Sequence, residues 1–175
     1  MSAKLAGFVM VFLSGLLIGD LWARRYRARY RDLCSLRHAL TLLETYVSRT
    51  SQPIPRALES VGRSTRGPAG LLFCRISEVL TDNPNLTLSQ GWDLVQAEMG
   101  GPEYPAYSAD DLEILQRLFG VLGGSGRGDQ VTHIRLARDA LAINEGAARR
   151  DLDIYPKLFR YLGALGASVI ALAIL

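Results

Sequence analysis

The sequence predicts an all-α protein, a helical bundle of about six helices between two membrane-spanning helices. Three observations support this class. Apolar residues recur at alternating three- and four-residue steps through the middle of the chain, which is the spacing of amphipathic helices. No stretch of useful length alternates with the two-residue period of a half-buried strand. Each end of the 175-residue chain has an uncharged apolar run, residues 5–19 and 161–175, which with its flanking residues is about long enough to cross a membrane.

The uncharged runs predict membrane anchors at residues 1–23 and 157–175. Residues 5–23 would form about 28 Å of helix, which nearly matches a hydrocarbon core of roughly 30 Å. Residues 158–175 would form about 27 Å, so the second anchor spans only marginally. A secretory signal peptide is the alternative for the first run, but Trp22 and several arginines follow it where a small-residue cleavage site would be needed.

Five arginines follow the first anchor and predict contact with a membrane surface. They are Arg24, Arg25, Arg27, Arg29 and Arg31, in a chain with 20 basic residues and a net charge of +3. Lys157 and Arg160 lie at the start of the second anchor, so basic residues flank the central domain, residues 24–156, at both of its ends. Because basic residues gather on the cytoplasmic side of a membrane, we expect this domain to face the cytoplasm and both termini to lie across the membrane. Anionic lipid explains the arginines at about 1 kcal/mol each, without nucleic acid as a ligand.

The first half of the central domain predicts four helices. The first can continue the first anchor, because no glycine or proline interrupts residues 20–52. Two prolines end it, a short second helix closes at Gly62, and a loop over residues 63–70 precedes the third. A capping box from Thr87 to Gln90 begins the fourth. The apolar stripes are Leu33, Leu36, Leu40, Leu43 and Val47, then Ile54, Leu58 and Val61, then Leu72, Ile76, Val79 and Leu80, then Leu88, Trp92, Val95 and Met99.

The second half predicts two more helices around a glycine-rich turn. Ser108 with Asp111 three residues later is an N-terminal cap signal, and apolar residues follow at helical spacing. Residues 123–128 reverse the chain. A long helix then runs from Asp129 to Pro156, or through Pro156 into the second anchor. The apolar faces of these helices are Leu112, Leu115, Leu118, Phe119 and Leu122, then Ile134, Ala137, Leu141, Ala148, Leu152 and Tyr155.

No motif in the sequence predicts an enzyme, a metal site or a cofactor. The glycine-rich turn lacks the lysine and the strand-to-helix context of a phosphate-binding P-loop, so it predicts a tight connection between helices. His38 and His133 have no metal-ligand spacing. Cys34 and Cys74 form neither a CxxC pair nor a disulfide framework, and both are expected to be reduced. Distant residues can still form a catalytic triad, but we expect no catalytic residue and no small-molecule substrate.

Several short motifs stand in a fixed order between the two anchors. They are a glycine-bearing first anchor running into Arg24-Arg25-Tyr26, the leucine stripe of the first helix, Pro55-Arg56-Ala57-Leu58, Gly91-Trp92 after the Thr87 cap, and Phe119-Gly120-x-Leu122-Gly123 with Gln130 and His133-Ile134 downstream. In this order the chain resembles the stage III sporulation protein AB family of endospore-forming Firmicutes along essentially its full length. The family often has an acidic residue shortly after the Leu-Gly pair, whereas this chain has Ser125-Gly126 there and Asp129 displaced downstream.

The resemblance implies both a fold and a setting. The family is similar to the cytoplasmic domains of the inner-membrane platform protein of type II secretion and type IV pilus machines, which are compact helical bundles. It belongs to the multiprotein channel complex that connects mother cell and forespore during engulfment. The implied partners are the secretion-type ATPase and the membrane-ring subunits of that complex. The central domain would face the mother-cell cytoplasm, with its anchors in the outer forespore membrane.

We therefore predict a non-enzymatic platform or adaptor subunit that docks the ATPase and links it to membrane-ring components. The predicted contacts are Phe119, Gly120, Leu122, Gly123 and Gln130. The alternative for these residues is that the apolar ones are core and that the glycines meet packing requirements. A second hypothesis is a membrane-surface module without ATPase contact, in which the five arginines bind anionic lipid and the final run lies flat. A third is a membrane-bound hydrolase, which would need a polar pocket containing His38 or His133.

Overall fold

The computed structural model describes the backbone of residues 2–50, 52–99, 106–124 and 126–174, and the side chains of residues 24–50, 52–99, 106–124 and 126–155. The described backbone forms six α-helices and no β-strand, so the prediction of an all-α fold is confirmed. The helices are α1 (Ser2–Arg49), α2 (Ile54–Ser64), α3 (Pro68–Asp82), α4 (Leu88–Glu98), α5 (Ala109–Val121) and α6 (Arg127–Ile174). Their contacts divide the chain into a terminal unit, residues 1–30 with 147–175, and a central unit, residues 31–146.

The two predicted anchors, residues 1–23 and 157–175, lie outside the residues whose side chains the structure describes. The backbone of residues 2–23 belongs to α1, and that of residues 157–174 belongs to α6. Within the described part of the chain, no helix combines the length and the apolar character needed to cross a membrane. The anchors and the domain boundaries that they set therefore stay predictions.

The core of the central unit is built from the predicted apolar stripes. Leu33, Leu36, Leu40 and Leu43 of α1 are completely buried, and Ile134 and Leu141 of α6 are too. Burying one leucine side chain stabilises a fold by about 1.5–3 kcal/mol. These leucines are therefore a large part of what holds α1 in the bundle.

Charged side chains join α1 to α6 at the edge of this core. The Arg37 guanidinium donates to a Glu145 carboxylate oxygen at 2.5 Å. Arg135 and Arg138 donate to the two carboxylate oxygens of Glu44 at 2.6 and 2.8 Å. Ion pairs at a protein surface contribute only about 0–1 kcal/mol each. These ion pairs therefore determine which faces of α1 and α6 meet more than they stabilise the fold.

Helices α2 and α3 pack backbone against backbone. A Cβ atom at Gly62 would lie 2.5 Å from the Cys74 sulfur and 2.7 Å from the Cys74 backbone nitrogen, so no side chain fits at that position. The prediction of a loop over residues 63–70 is wrong in extent, because α3 already begins at Pro68. Proline suits the first turn of a helix, since its missing N–H would be unpaired there in any case.

Two capping boxes begin α4 and α5 as the sequence predicts. The Thr87 hydroxyl accepts the Gln90 amide, and the Gln90 side chain accepts the Thr87 amide in return. Ser108 and Asp111 repeat the exchange, with the Asp111 carboxylate 2.8 Å from the Ser108 nitrogen. The sixth helix begins at Arg127, two residues before its predicted start, and continues through Pro156.

A buried carboxylate ties α1 to the segment before α5. The Asp32 side chain is 8% exposed and accepts the Ala106 amide at 3.0 Å. Burial raises the pKa of Asp32, although the Ala106 hydrogen bond and the Arg31 charge oppose the shift. Burial, together with Asp32 and Asp111, also raises the pKa of the Tyr107 hydroxyl. The folded state therefore disfavours negative charge at this place.

The Asp32→Asn variant is expected to unfold at a higher urea concentration than the wild type at neutral pH. Because the pKa of Asp32 is raised on folding, the folded chain binds more protons than the unfolded chain at pH values between the two pKa values. The free energy of unfolding therefore falls as the pH rises from the unfolded pKa through the folded one. Asparagine keeps an oxygen for the Ala106 amide but brings no charge to desolvate.

Urea titrations followed by circular dichroism at about pH 7 and about pH 3 measure the difference in free energy of unfolding between the variant and the wild type. This difference should vanish below the unfolded pKa of about 3.9. A wild type more stable than the variant at neutral pH contradicts the prediction.

Candidate functional site

An apolar groove of about 530 Å³ opens on the central unit where four helices meet. This volume lies within the range of about 300–1,000 Å³ that is usual for ligand pockets. The groove is formed by the start of α2, the end of α3, the start of α4 with the loop before it, and the end of α5 with the turn after it. Its lining residues are Ile54, Pro55, Leu80, Leu86, Thr87, Leu88, Ser89, Phe119, Gly120, Leu122, Gly123 and Gly124.

The groove contains four of the five predicted contact residues. Phe119 and Leu122 are 1% and 3% exposed, so both are core residues as well as lining residues. Gly120 and Gly123 lie at the surface of the same groove. Gln130 does not line it. That residue lies half-buried in the first turn of α6, where its backbone amide donates to the Gly126 carbonyl at 3.0 Å.

An aromatic cluster supports the Phe119 ring from behind. The ring of Trp92 lies 5.0 Å from that of Phe119, and the ring of Phe73 meets it edge-on at 6.3 Å. The indole N–H of Trp92 donates to the Gln116 side-chain oxygen at 2.7 Å, which fixes the orientation of the indole. The shape of the groove therefore depends on packing between α3, α4 and α5.

The glycines of the groove differ in what the fold requires of them. Gly123 has a φ of +95°, a conformation that side chains with a Cβ rarely adopt, so the turn after α5 needs glycine there. A Cβ at Gly120 or Gly124 would meet no atom within 4 Å. The alternative that these glycines meet packing requirements therefore fails for Gly120, since it lies in α5 with open space around it.

Eight of the twelve lining residues were not predicted as part of the site. Ile54, Pro55, Leu80, Leu86 and Ser89 come from segments that lie far from the glycine-rich turn in sequence. The Pro55-Arg56 motif and the Thr87 cap are visible in the sequence, but no local pattern links them to residues 119–124. Only the packing of the helices brings them together.

The chemistry of the groove is that of a binding surface. Among the residues that the structure describes, no charged side chain and no histidine lines it, and the polar side chains in its lining are the Thr87 and Ser89 hydroxyls. General acid or base catalysis needs a titratable group within reach of the substrate. In the part of the chain that the structure describes, no group of three or more His, Cys, Asp or Glu side chains could hold a metal ion. The groove is suited to apolar side chains of a partner.

The predicted lipid-binding arginines lie mostly in the terminal unit. Arg24, Arg25 and Arg27 are exposed and Arg29 is half-buried, while Arg31 is exposed at the start of the central unit. Within the terminal unit, the Tyr26 ring of α1 stacks on the Tyr155 ring of α6, with centroids 5.2 Å apart and planes 8° from parallel. The stack holds α1 and α6 side by side next to the predicted anchors. Lipid contact at these arginines stays a prediction.

Known proteins resemble this chain over almost its full length. Stage III sporulation protein AB of Bacillus subtilis (strain 168) is 24% identical over 172 residues, which cover 98% of this chain and 99% of the relative. A solved structure of stage III sporulation protein AB superposes with a TM-score of 0.63 at 24% identity, over 71% of this chain and 96% of that chain, and it supports the fold. The family described as stage III sporulation protein AB matches residues 4–175, from the first predicted anchor to the last residue. The chain belongs to the stage III sporulation protein AB family.

Proposed function

We propose that this chain is a non-enzymatic platform subunit of the channel complex between mother cell and forespore. Its central unit docks the secretion-type ATPase of that complex, and its two anchors, set in the outer forespore membrane, link the ATPase to the membrane-ring subunits. The central unit faces the mother-cell cytoplasm. Membership of a sporulation family supports the setting, and the uncharged groove supports a role in binding rather than catalysis.

One observation carries the docking proposal. Four of the five residues that the sequence singles out as ATPase contacts, all at the end of α5 and in the turn after it, line a groove whose other residues come from α2, α3 and α4. Its floor is apolar and its rim carries hydroxyls, which is the usual anatomy of a pocket for an anchoring side chain. An adaptor needs such a surface, and it needs no catalytic group.

Replacement of Leu86 by glutamate is expected to weaken ATPase binding by at least about tenfold, equivalent to about 1.4 kcal/mol. Leu86 lines the groove and is half-buried, so the variant brings an unpaired charge to the surface that an apolar anchor must cover. The measurement is calorimetric titration of the purified ATPase into the full-length chain held in phospholipid nanodiscs. We expect a micromolar or tighter Kd for the wild type.

Leu71→Glu is the matched control for this experiment. Leu71 lies on α3, is 64% exposed and does not line the groove. The control should bind the ATPase as the wild type does. If the folded wild type does not bind the ATPase at all, docking is wrong. The exposed arginines next to the anchors would then support the membrane-surface module instead, and binding to vesicles with and without anionic lipid would test it.

A further inference from the structure

Gly120 is a helical glycine that the fold of this chain does not need. It lies in α5, where it is exposed and a Cβ would meet no atom within 4 Å. Glycine lowers helix stability relative to alanine, because it has more backbone freedom to lose on folding. By contrast, Gly62 and Gly70 have no room for a side chain. A glycine in open space at the edge of a groove leaves room for the close approach of another backbone.

Arg56 is a second residue that the fold leaves unexplained. It lies in the first turn of α2, directly after the groove residue Pro55. Its side chain is exposed, and among the described residues no carboxylate pairs with it. The N-terminus of a helix is already its positive end, so a guanidinium there is disfavoured unless an anion lies nearby. This edge of the groove is therefore complementary to a carboxylate.

The groove itself limits what its occupant can be. The lining residues that the structure describes are uncharged, so the part of the partner that enters must be apolar. Amphipathic helices that bind in grooves present apolar side chains at i, i+3 and i+4 and keep their charges on the rim. A helix also presents a backbone that can lie close against a position without a Cβ.

We propose that the ATPase segment entering the groove is an acidic amphipathic helix. This inference rests on the proposed function. The helix crosses α5 at Gly120 with its backbone close to that glycine, and it buries an apolar side chain against the half-buried groove residues Ile54, Pro55 and Leu86. One of its carboxylates pairs with the Arg56 guanidinium at the start of α2. The guanidinium and the positive end of the α2 helix dipole both attract that carboxylate.

The Gly120→Ala variant tests the close approach. The added methyl group should weaken binding of the purified ATPase by about tenfold or more, because it holds the partner backbone away from α5. The same variant should raise the urea midpoint of the chain, because alanine favours the helix. Gly128→Ala is the matched control. Gly128 also has open space around it and lies in the first turn of α6 outside the groove, so the control should leave the Kd unchanged.

The Arg56→Gln variant tests the acidic partner. It should weaken ATPase binding by about tenfold and flatten the dependence of the Kd on salt concentration, since an ion pair is lost. Arg66→Gln removes the same charge from an exposed residue outside the groove, and it should change neither quantity.

The outcomes separate this inference from the proposed function. If the wild type binds and Leu86→Glu fails to bind, while Gly120→Ala and Arg56→Gln both bind normally, the groove docks the ATPase but its occupant is not an acidic helix. If Gly120→Ala loses ATPase binding and Arg56→Gln does not, the acidic contact is overturned. If Arg56→Gln loses ATPase binding and Gly120→Ala does not, the close helix crossing is overturned. If the wild type fails to bind, or the groove instead closes a dimer of this chain, both the occupant and the docking proposal are overturned.

Discussion

The Trp92→Ala variant is expected to lose about 3–5 kcal/mol of its free energy of unfolding. Trp92 is completely buried, and its ring packs against Phe119 behind the groove. The substitution leaves a cavity between α4 and α5, and it removes the indole N–H that donates to Gln116. Domains of this size are stabilised by only about 5–15 kcal/mol, so the loss is a large share of the total. Urea unfolding followed by far-ultraviolet circular dichroism measures it.

Trp92→Phe is the control that separates packing from hydrogen bonding. Phenylalanine keeps an aromatic ring against Phe119 but cannot donate to Gln116, so we expect a loss of about 1–3 kcal/mol. An alanine variant within about 1 kcal/mol of the wild type would contradict the buried position of the indole. The alanine variant should also bind the ATPase more weakly, because Phe119 loses its support.

The Gly70→Ala variant is expected to destabilise the chain by about 3 kcal/mol, the upper end of the usual cost of overpacking. A Cβ at Gly70 would overlap the Thr65 carbonyl oxygen and would lie 2.8 Å from the Gly62 carbonyl oxygen. Both obstacles are backbone atoms, so no side-chain rotation can relieve the clash, and α2 must move away from α3. The urea midpoint of the full chain gives the size of the effect.

Gly120→Ala gives the comparison of opposite sign for this measurement. The same methyl group is added, but in open space, and the chain should become more stable by up to about 1 kcal/mol. Equal effects of the two substitutions would mean that α2 and α3 are not in backbone contact.

Much of the fold can be predicted from the sequence because its helices are amphipathic and carry local end signals. The leucine stripe of α1 and the caps at Thr87 and Ser108 are short-range patterns, and the structure confirms each of them. The start of α3 is not predicted correctly. There Gly67-Pro68 indicates a loop, but the proline begins a helix that a glycine with a φ of +83° precedes.

The site could be predicted only in part, because a groove is a property of tertiary packing. Residues 119–123 are adjacent in sequence, and a single local motif predicts them as contacts. Leu80 and Leu86 belong to the same groove through contacts between helices, which no sequence period encodes. Gln130, the fifth predicted contact, is close to the turn in sequence but lies in the first turn of α6 outside the groove, so its contact stays a prediction.

The ion pairs between α1 and α6 join helices that are far apart in sequence, and this separation affects folding during synthesis. Arg37 and Glu145 are separated by 108 residues, so the helix that completes the bundle leaves the ribosome after the other five described helices. At about 5–20 residues per second, the leucine face of α1 waits roughly 5–20 seconds for that partner. During this interval the nascent chain presents an uncovered apolar surface, which is the condition under which chaperones bind. Slow synthesis of α6 should therefore lower the yield of folded protein more than slow synthesis of any earlier helix.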